Sequence, residues 1–324
     1  MLKLKRILVP TDFSDSAKAA YAFGVELTRK YGGKVDLIHV IPTFKYLNES
    51  VNRLGLPINL DKDIYPHIVT ETEERLKEEF NAMIPAEQRG KAYVQVDIKA
   101  SDAIIRTAAE SDVDLIVMGA TGSRGKDIIW GSTTEKVVRK SSIPVLAIPA
   151  EAVPNGIDRI LVPSDYSELS FRALRGAVAL ANSLESEITL LHVVELYGSP
   201  LDDEPREQGK DQIASITEKL GARLESWTAA NPQFELSFQR DGDALFLLST
   251  RGGSEKRTPL KIVVTKAVSA HSEIVEYANE NSDMVVITTH GRSGLSHLFL
   301  GSVTEKVVQA TNKPVLTWRP KKHG

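Results

Sequence analysis

The chain has 324 residues, which is room for two domains of about 150 residues each, and its 42% hydrophobic and 26% charged residues exclude the disordered and fibrous classes. It contains no cysteine, which excludes a disulfide scaffold, a thiolate metal site and a cysteine nucleophile. With 40 basic and 43 acidic residues the net charge is −3, so the sequence does not predict a basic nucleic-acid-binding surface.

The first 150 residues alternate between short apolar runs and segments with helical periodicity. In chain order they predict strand Ile7–Pro10, helix Ser14–Tyr31, strand Val35–Val40, helix Val69–Ala82, strand Tyr93–Ile98, helix Asp102–Ser111, strand Leu115–Met118, helix Ser132–Lys140 and strand Val145–Ile148. The pair Gly32-Gly33 marks the end of the first helix. Short apolar strands separated by helices are typical of a parallel sheet that is covered on both faces.

An internal repeat extends this interpretation to the rest of the chain. The sequence RILVPTDFS at residues 6–14 returns as RILVPSDYS at residues 159–167, which is 153 positions later. LIHV at residues 37–40 returns as LLHV at residues 190–193 with the same offset. A period this long indicates a duplicated domain rather than a solenoid. The second copy therefore has predicted strands near residues 160, 189, 262, 284 and 315.

The closing block of the repeat shows where the two copies differ. GSTTEKVV at residues 131–138 returns as GSVTEKVV at residues 301–308, which is 170 positions later, so the second copy holds an insertion of 17 residues. We place the extra piece at Phe234–Thr250, within an approximate range of residues 234–257, where two β-rich runs flank an Asp-Gly-Asp turn signal. A linker is predicted near Ala150–Gly156. The predicted domains are residues 1–150 and residues 151–324.

The predicted fold is α/β, with two tandem five-stranded doubly wound parallel sheets and a β-hairpin insertion in the second. Ligands of such sheets bind at the carboxyl ends of the strands, where the strand order reverses. Strand one is followed by Thr11-Asp12 in the first copy and by Ser164-Asp165 in the second. Strand two is predicted to end at Val40 and at Val193.

A loop containing glycine follows strand four in each copy. In the first copy, GATG at residues 119–122 is followed by eight residues and then Gly131-Ser132. In the second, TTHG at residues 288–291 is followed by nine residues and then Gly301-Ser302. Glycines let backbone N–H groups approach phosphate oxygens, and the start of the following helix favours an anion. Neither the Walker nor the Rossmann pattern follows the first strand.

Plainer explanations stay open for several of these residues. Residues 132–135 and 302–305 have the form Ser-x-x-Glu of a capping box, which any helix uses. Asp12 and Asp165 have the alternative of being ordinary turn residues after a strand.

Four histidines lie near the predicted strand ends and loops. His39 and His192 are equivalent and lie on apolar strands, which favours a half-buried, hydrogen-bonded structural role. His290 and His297 flank the second glycine loop, but their spacing is not that of a metal site. We therefore predict no metal-binding residues.

Taken together, these motifs make the chain resemble the universal stress protein family over nearly its whole length. The resemblance is carried by ILVPTDFS, by LIHV and above all by TTHGRSGLSHLFLGSVTEKVV in the second copy. It implies adenine-nucleotide alpha-hydrolase-like domains and ATP, with or without Mg²⁺, as the ligand. In ATP-binding members of the family, the Asp after strand one lies by the adenosine and backbone groups at strand two hold the adenine. Their Gly-x2-Gly-x9-Gly-Ser/Thr loop and the Ser/Thr residues after it hold the phosphates.

Carried over residue by residue, the resemblance implies nucleotide-binding residues in both copies and no catalytic residue in either. In the first copy they are Thr11, Asp12, Val40, Gly119, Gly122, Gly131, Ser132 and Thr134. In the second copy they are Ser164, Asp165, Val193, Gly291, Gly301, Ser302 and Thr304.

Each copy departs once from the family pattern. In the first copy the spacer is one residue short and the bulky Trp130 precedes Gly131. In the second copy Thr288 replaces the first glycine, which a β conformation would tolerate. Because a shortened loop moves several N–H donors together, we favour the second copy as the better nucleotide site.

Two hypotheses of different class follow. The first is a cytoplasmic stress-response protein that binds ATP as a conformational ligand without strong catalysis, with slow ATP hydrolysis left open. The alternative is an interaction module whose degenerate glycine loops bind no nucleotide. A nucleotide-hydrolysing enzyme is weaker, because the Ser-Gly-Gly-x-Asp-Ser loop and the His-Ile-Gly-His motif of that wider group are missing.

The expected partners follow from the same reasoning. No apolar run approaches the about 20 residues of a membrane span, so we expect no membrane partner. Because the charge is balanced, we also expect no nucleic-acid partner. The resemblance implies that the two domains pair through their final strands, Val145–Ile148 and Val315–Trp318. A homodimer and an unidentified protein partner stay open.

Overall fold

The computed structural model describes residues 4–29, 32–43, 53–54, 60–120, 131–154, 156–196, 210–251, 254–289 and 301–319. They fall into two compact units, residues 4–154 and residues 156–319, which we call domain 1 and domain 2. Five residues singled out from the sequence lie outside the described residues: Gly122, Trp130, His290, Gly291 and His297.

Domain 1 alternates strands and helices along the chain. Its elements are β1 (Arg6–Pro10), α1 (Asp15–Arg29), β2 (Lys34–Pro42), α2 (Tyr65–Met83), β3 (Arg89–Asp97), α3 (Ala100–Glu110), β4 (Leu115–Gly119), α4 (Ser132–Lys140) and β5 (Val145–Ile148). The strands are parallel in the order β3-β2-β1-β4-β5. The chain winds outward from β1 to β3 and then returns to the other side of β1, so the order reverses between β1 and β4.

Local sequence explains the boundaries of the helices. Gly32 has a φ of 59°, and the amide of Gly33 donates to the carbonyl of Thr28 at 3.0 Å, which confirms the predicted glycine ending of α1. Helix α2 begins at Tyr65, four residues before the predicted start at Val69, because proline is tolerated in the first turn of a helix and Pro66 lies there. Strands β4 and β5 are almost wholly buried, as their apolar sequences predict.

Domain 2 repeats this arrangement with additions. Its elements are β6 (Arg159–Pro163), α5 (Glu168–Leu184), β7 (Glu187–Glu195), α6 (Lys210–Ala230), β8 (Leu236–Asp241), β9 (Ala244–Arg251), β10 (Ser254–Ala267), α7 (Ala270–Asn281), β11 (Met284–Thr288), α8 (Ser302–Ala310) and β12 (Val315–Trp318). Five strands are parallel in the order β12-β11-β6-β7-β10, and β9 and β8 continue the sheet antiparallel beyond β10. The order reverses between β6 and β11.

The predicted hairpin is confirmed in the inserted segment. Asp241 at the end of β8 pairs with Ala244 at the start of β9, and Gly242 in the turn has a φ of 60°. Strand β10 has 14 residues where its counterpart β3 has nine, because its first residues pair with β9. The doubly wound α/β fold predicted from the sequence is therefore confirmed, with the hairpin at the free edge of the second sheet. None of the helices in the described part of the chain is long and apolar enough to cross a membrane.

Candidate functional site

The turn after β1 forms one wall of the candidate site in domain 1. Thr11 is buried, Asp12 is exposed and Phe13 has a φ of 65°, which a non-glycine residue adopts only when its neighbours hold it. The amide of Phe13 donates to the hydroxyl of Thr11 at 2.9 Å, and the amide of Ser14 donates to Oδ1 of Asp12 at 3.1 Å. The phenol of Tyr21 also donates to the hydroxyl of Thr11. These hydrogen bonds fix the conformation of the turn.

Domain 2 builds the same turn from Ser164, Asp165 and Tyr166. The amide of Tyr166, whose φ is 64°, donates to the hydroxyl of Ser164 at 3.3 Å. Oδ1 of Asp165 accepts hydrogen bonds from Ser167 at 3.1 Å (amide) and 2.6 Å (hydroxyl). Both predicted aspartates therefore act as turn residues in the structure, and their contact with a nucleotide stays a prediction.

An aromatic side chain ties each turn to the histidine on the next strand and to the covering helix. The Phe13 ring stacks on His39 with 4.7 Å between centroids, and the guanidinium of Arg75 on α2 lies 4.0 Å from its centroid. Tyr166 meets His192 edge-on at 4.1 Å, and its hydroxyl donates to the carbonyl of Ile216 on α6 at 3.2 Å. Sequence reasoning missed these two aromatic residues, although their equivalent places in the repeat offered the signal.

The prediction that strand two ends at Val40 and Val193 is wrong. Strand β2 continues to Pro42 because Val40 and the two residues after it still pair with β3. Strand β7 continues to Glu195, with Val193 paired to Thr265 of β10. Val40 and Val193 are half-buried and lie two residues before the edge where the sheet ends.

The end of β4 and the start of α4 form the opposite wall in domain 1. The amide of Ala120 donates to the carbonyl of Ile148 at 2.7 Å, and the amide of Gly131 donates to the carbonyl of Ala120 at 2.7 Å. The buried hydroxyl of Thr134 donates to the carbonyl of Gly119 at 2.8 Å. Helix α4 is thereby held against the end of β4 by one backbone and one side-chain hydrogen bond.

Domain 2 repeats this connection residue for residue. The amide of Thr289 donates to the carbonyl of Trp318 at 3.0 Å, and the amide of Gly301 donates to the carbonyl of Thr289 at 2.9 Å. The hydroxyl of Thr304 donates to the carbonyl of Thr288 at 2.7 Å. The predicted binding residues Thr134 and Thr304 thus hold their helices in place.

Helices α4 and α8 begin without a side-chain cap, so the predicted capping boxes are wrong. The N-cap residues are Gly131 and Gly301, which have no side chain to act as a cap, and within the described residues no side-chain cap is found at either position. Ser132 and Ser302 are the first helical residues and are exposed, one position too late to act as caps. Since the first amides of a helix have no acceptor within it, both helix starts can accept an anion.

The packing of α1 explains why the first residue of the motif in domain 1, Gly119, is a glycine. A Cβ at Gly119 would lie 2.3 Å from Oγ and 2.9 Å from the carbonyl carbon of Ser16, in the first turn of α1. Only glycine lets α1 approach the end of β4 so closely. In domain 2 the repeat puts Leu169 and Thr288 at these two positions, and Thr288 is buried at the end of β11.

A cavity of about 500 Å³ lies elsewhere, at the amino ends of β6 and β7 in domain 2. It is lined by charged residues that include Arg159, Glu187 and Asp283, and by none of the predicted site residues. Arg159 is paired with Asp283 at 3.0 Å and Glu187 with Lys261 at 2.6 Å. Because ligands of doubly wound sheets bind at the carboxyl ends, we place the candidate site at those ends. The described residues contain no group of three His, Asp or Glu side chains arranged to hold a metal ion.

The model of the universal stress protein family matches residues 3–149 and again residues 156–319. The chain belongs to the universal stress protein family. Each match falls on one of the two compact units, so this is a tandem member with two family domains in one chain.

Known members of the family resemble the chain over its whole length or over about half of it. Universal stress protein Slr1230 from Synechocystis is 25% identical over 331 residues, which cover 98% of this chain and 100% of that protein. A crystal structure of a universal stress protein from Archaeoglobus fulgidus DSM 4304 has a TM-score of 0.63 at 20% identity and covers 99% of both chains. A second structure from Archaeoglobus fulgidus, a universal stress protein in complex with dAMP, covers 45% of this chain with a TM-score of 0.31.

Proposed function

We propose that this universal stress protein binds an adenine nucleotide, with ATP as the ligand, at the carboxyl edge of each sheet. The observation that carries the proposal is the pair of uncapped helix starts, α4 and α8. Each is fixed beside the point where the strand order reverses by the amide of its N-cap glycine and by a threonine hydroxyl, and among the described residues the amides of its first two helical residues have no acceptor. An uncapped helix start at a switch point suits a phosphate group.

The residues present fit such a ligand. Gly131 has φ −70° and ψ 138°, and Gly301 has φ −59° and ψ 140°, which are open to any residue. Glycine is therefore not needed there for its backbone conformation, and we propose that its role is to leave room for a phosphate at the start of the helix. The exposed hydroxyls of Ser132 and Ser302 lie at the same helix starts and are able to donate to phosphate oxygens.

The remaining predicted residues divide into two groups. We assign the adenosine end of the nucleotide to the turns at Thr11-Asp12 and Ser164-Asp165 and to the backbone at Val40 and Val193. Gly119, Thr134 and Thr304 shape or position the walls of the site in this proposal.

Any Mg²⁺ would arrive with the nucleotide and be held chiefly by its phosphates, as this ion commonly is.

The nucleotide would act as a conformational ligand. A ligand that binds one conformation more tightly shifts the population toward it, and this is how binding without turnover regulates a protein. We propose no strong catalysis, because the sequence offers no positioned pair of carboxylates and no obvious set of a nucleophile and a base. An ATP hydrolysis assay of the wild type beside Asp12→Ala and Asp165→Ala checks this part.

Calorimetric titration of the full chain with ATP tests binding. We expect two sites in the wild type and one in each of Gly131→Val and Gly301→Val, since valine fits the backbone but fills the space before the helix. Each variant is the matched control of the other, because it leaves the opposite domain unchanged. A wild type that takes up no ATP at about millimolar concentration would refute the proposal and leave the interaction module as the better hypothesis.

The cytoplasmic location, the pairing of the domains through their final strands, the homodimer and the protein partner stay predictions from the sequence.

A further inference from the structure

A buried hydroxyl without a partner lies at the point in domain 1 where the strand order reverses. Ser16 is 4% exposed, and its Oγ has no hydrogen-bond partner among the described residues. It belongs to the first turn of α1, directly after the turn that holds Asp12. A Cβ atom added at Gly119 would lie 2.3 Å from this oxygen, so the hydroxyl faces the end of β4.

A buried hydroxyl that bonds to nothing costs folding free energy, because water has been removed and nothing replaces it. Such groups are uncommon, and a ligand or an ordered water that completes the hydrogen bond is one explanation for them. In domain 1 this group packs against the end of β4, next to the switch point, and doubly wound sheets bind their ligands just outside the carboxyl ends of the strands at that point. An O–H donor to a charged phosphate oxygen makes a strong hydrogen bond.

We infer that Ser16 is a nucleotide-binding residue of domain 1, whose hydroxyl donates to a phosphate oxygen of the ligand. The inference rests on the proposed nucleotide binding and names a contact that no sequence motif carries. In domain 2 the equivalent residue is Leu169, which has no hydroxyl to donate. Domain 1 is therefore the tighter of the two sites, which reverses the preference drawn from the spacer length.

The test compares Ser16→Ala with Thr107→Val in the full chain. Thr107 on α3 is the matched control, because it is 2% exposed and its hydroxyl is likewise buried without a partner. Both variants are made in the Gly301→Val chain, so that ATP binding reports domain 1 alone. They are also made in the otherwise unchanged chain, in case Gly301→Val itself prevents folding. Each protein is titrated with ATP, with adenosine and with inorganic triphosphate, and its thermal midpoint is measured without ligand.

We expect Ser16→Ala to weaken ATP and triphosphate binding about tenfold, the loss of roughly one hydrogen bond to a charged group. Adenosine binding should not change, and the midpoint without ligand should stay equal or rise, since an unsatisfied group has been removed. Thr107→Val should bind ATP like its parent.

Unchanged ATP affinity in Ser16→Ala would overturn the inference while leaving the proposed function intact. An equal loss for adenosine and ATP would overturn the assignment to phosphate. A wild type that binds no ATP overturns both the inference and the proposed function.

Discussion

The imidazole Nδ1 of His39 lies 2.8 Å from the carbonyl oxygen of Thr11. Because a carbonyl oxygen only accepts, Nδ1 carries the proton and Nε2 of the neutral ring carries the lone pair. The same relationship joins His192 to the carbonyl of Ser164 at 2.8 Å. In each domain a half-buried histidine on the second strand thus holds the turn after the first, which confirms the structural role predicted for both.

This geometry predicts how stability depends on pH. Burial lowers the pKa of His39, and the Thr11 carbonyl and the Asp12 charge oppose that shift without cancelling it. The unfolded chain therefore binds this proton more readily than the folded protein, so stability is lost as pH falls below the ordinary histidine value of about 6.5. We expect the urea midpoint to drop between about pH 7.5 and about pH 5.5.

The variant His39→Gln isolates this contribution, because it has no group that titrates in that range. Its midpoint should fall less than that of the wild type over the same pH interval. His67→Gln, which changes an exposed histidine on α2, is the control and should follow the wild type. A wild-type midpoint that rises on acidification would contradict the prediction.

The close approach of α1 to β4 predicts a large penalty for Gly119→Ala. The added methyl group would meet Oγ of Ser16 at 2.3 Å and its carbonyl carbon at 2.9 Å. Overpacking of this kind costs roughly 1–3 kcal/mol of unfolding free energy. Adding Ser16→Ala should recover part of the loss, because it removes the oxygen but leaves the backbone contact. Strict additivity of the two changes in a double-mutant cycle would show that they do not meet.

Much of the fold could be predicted because the repeat shows each signal twice. Alternating apolar and amphipathic runs predict the parallel strands and helices, and the Asp-Gly-Asp turn predicts the hairpin of β8 and β9. The ends of β2 and β7 could not be predicted, because they depend on how far the neighbouring strands β3 and β10 continue. Pairing partners of that kind are distant in sequence.

The residues of the candidate site could be predicted in part, but the structural role of each of them could not. The Ser-x-x-Glu pattern suits a capping box, yet Gly131 takes the N-cap position and Ser132 follows it. The packing contact between Ser16 and Gly119 joins residues about a hundred positions apart in the sequence. Nothing in the local sequence around either residue indicates this contact. Such contacts arise from tertiary packing, which sequence patterns do not encode locally.

The hydroxyl of Thr134 predicts a loss of stability in Thr134→Val. Its hydrogen bond of 2.8 Å to the carbonyl of Gly119 is part-buried, and valine would leave that carbonyl without this donor. The expected cost is about 1–2 kcal/mol of unfolding free energy by chemical denaturation. Thr134→Ser keeps the donor and should lose less. Thr133→Val, one residue earlier in the same turn, is the control, and a cost as large as that of Thr134→Val would argue against this role.

The two domains predict losses of unequal size when one of two equivalent arginines is removed. Arg6 binds Asp36 at 2.8 Å, and the Asp36 side chain is fully buried and also accepts from the amide of Lys91 at 2.7 Å. Arg159, the repeat partner of Arg6, binds Asp283 at 3.0 Å in a pair that is partly exposed on both sides. Removing Arg6 leaves a buried carboxylate without its counter-charge, whereas removing Arg159 leaves one that water reaches.

We therefore expect Arg6→Ala to cost about 3 kcal/mol or more of unfolding free energy and Arg159→Ala about 1 kcal/mol or less. Denaturation of the two variants beside the wild type, followed by circular dichroism, measures the difference. High salt should reduce the loss of unfolding free energy in Arg159→Ala and hardly change the loss in Arg6→Ala. The reason is that salt screens exposed ion pairs far more than buried ones. Equal losses in the two variants would mean that the burial of Asp36 does not set the strength of its pair.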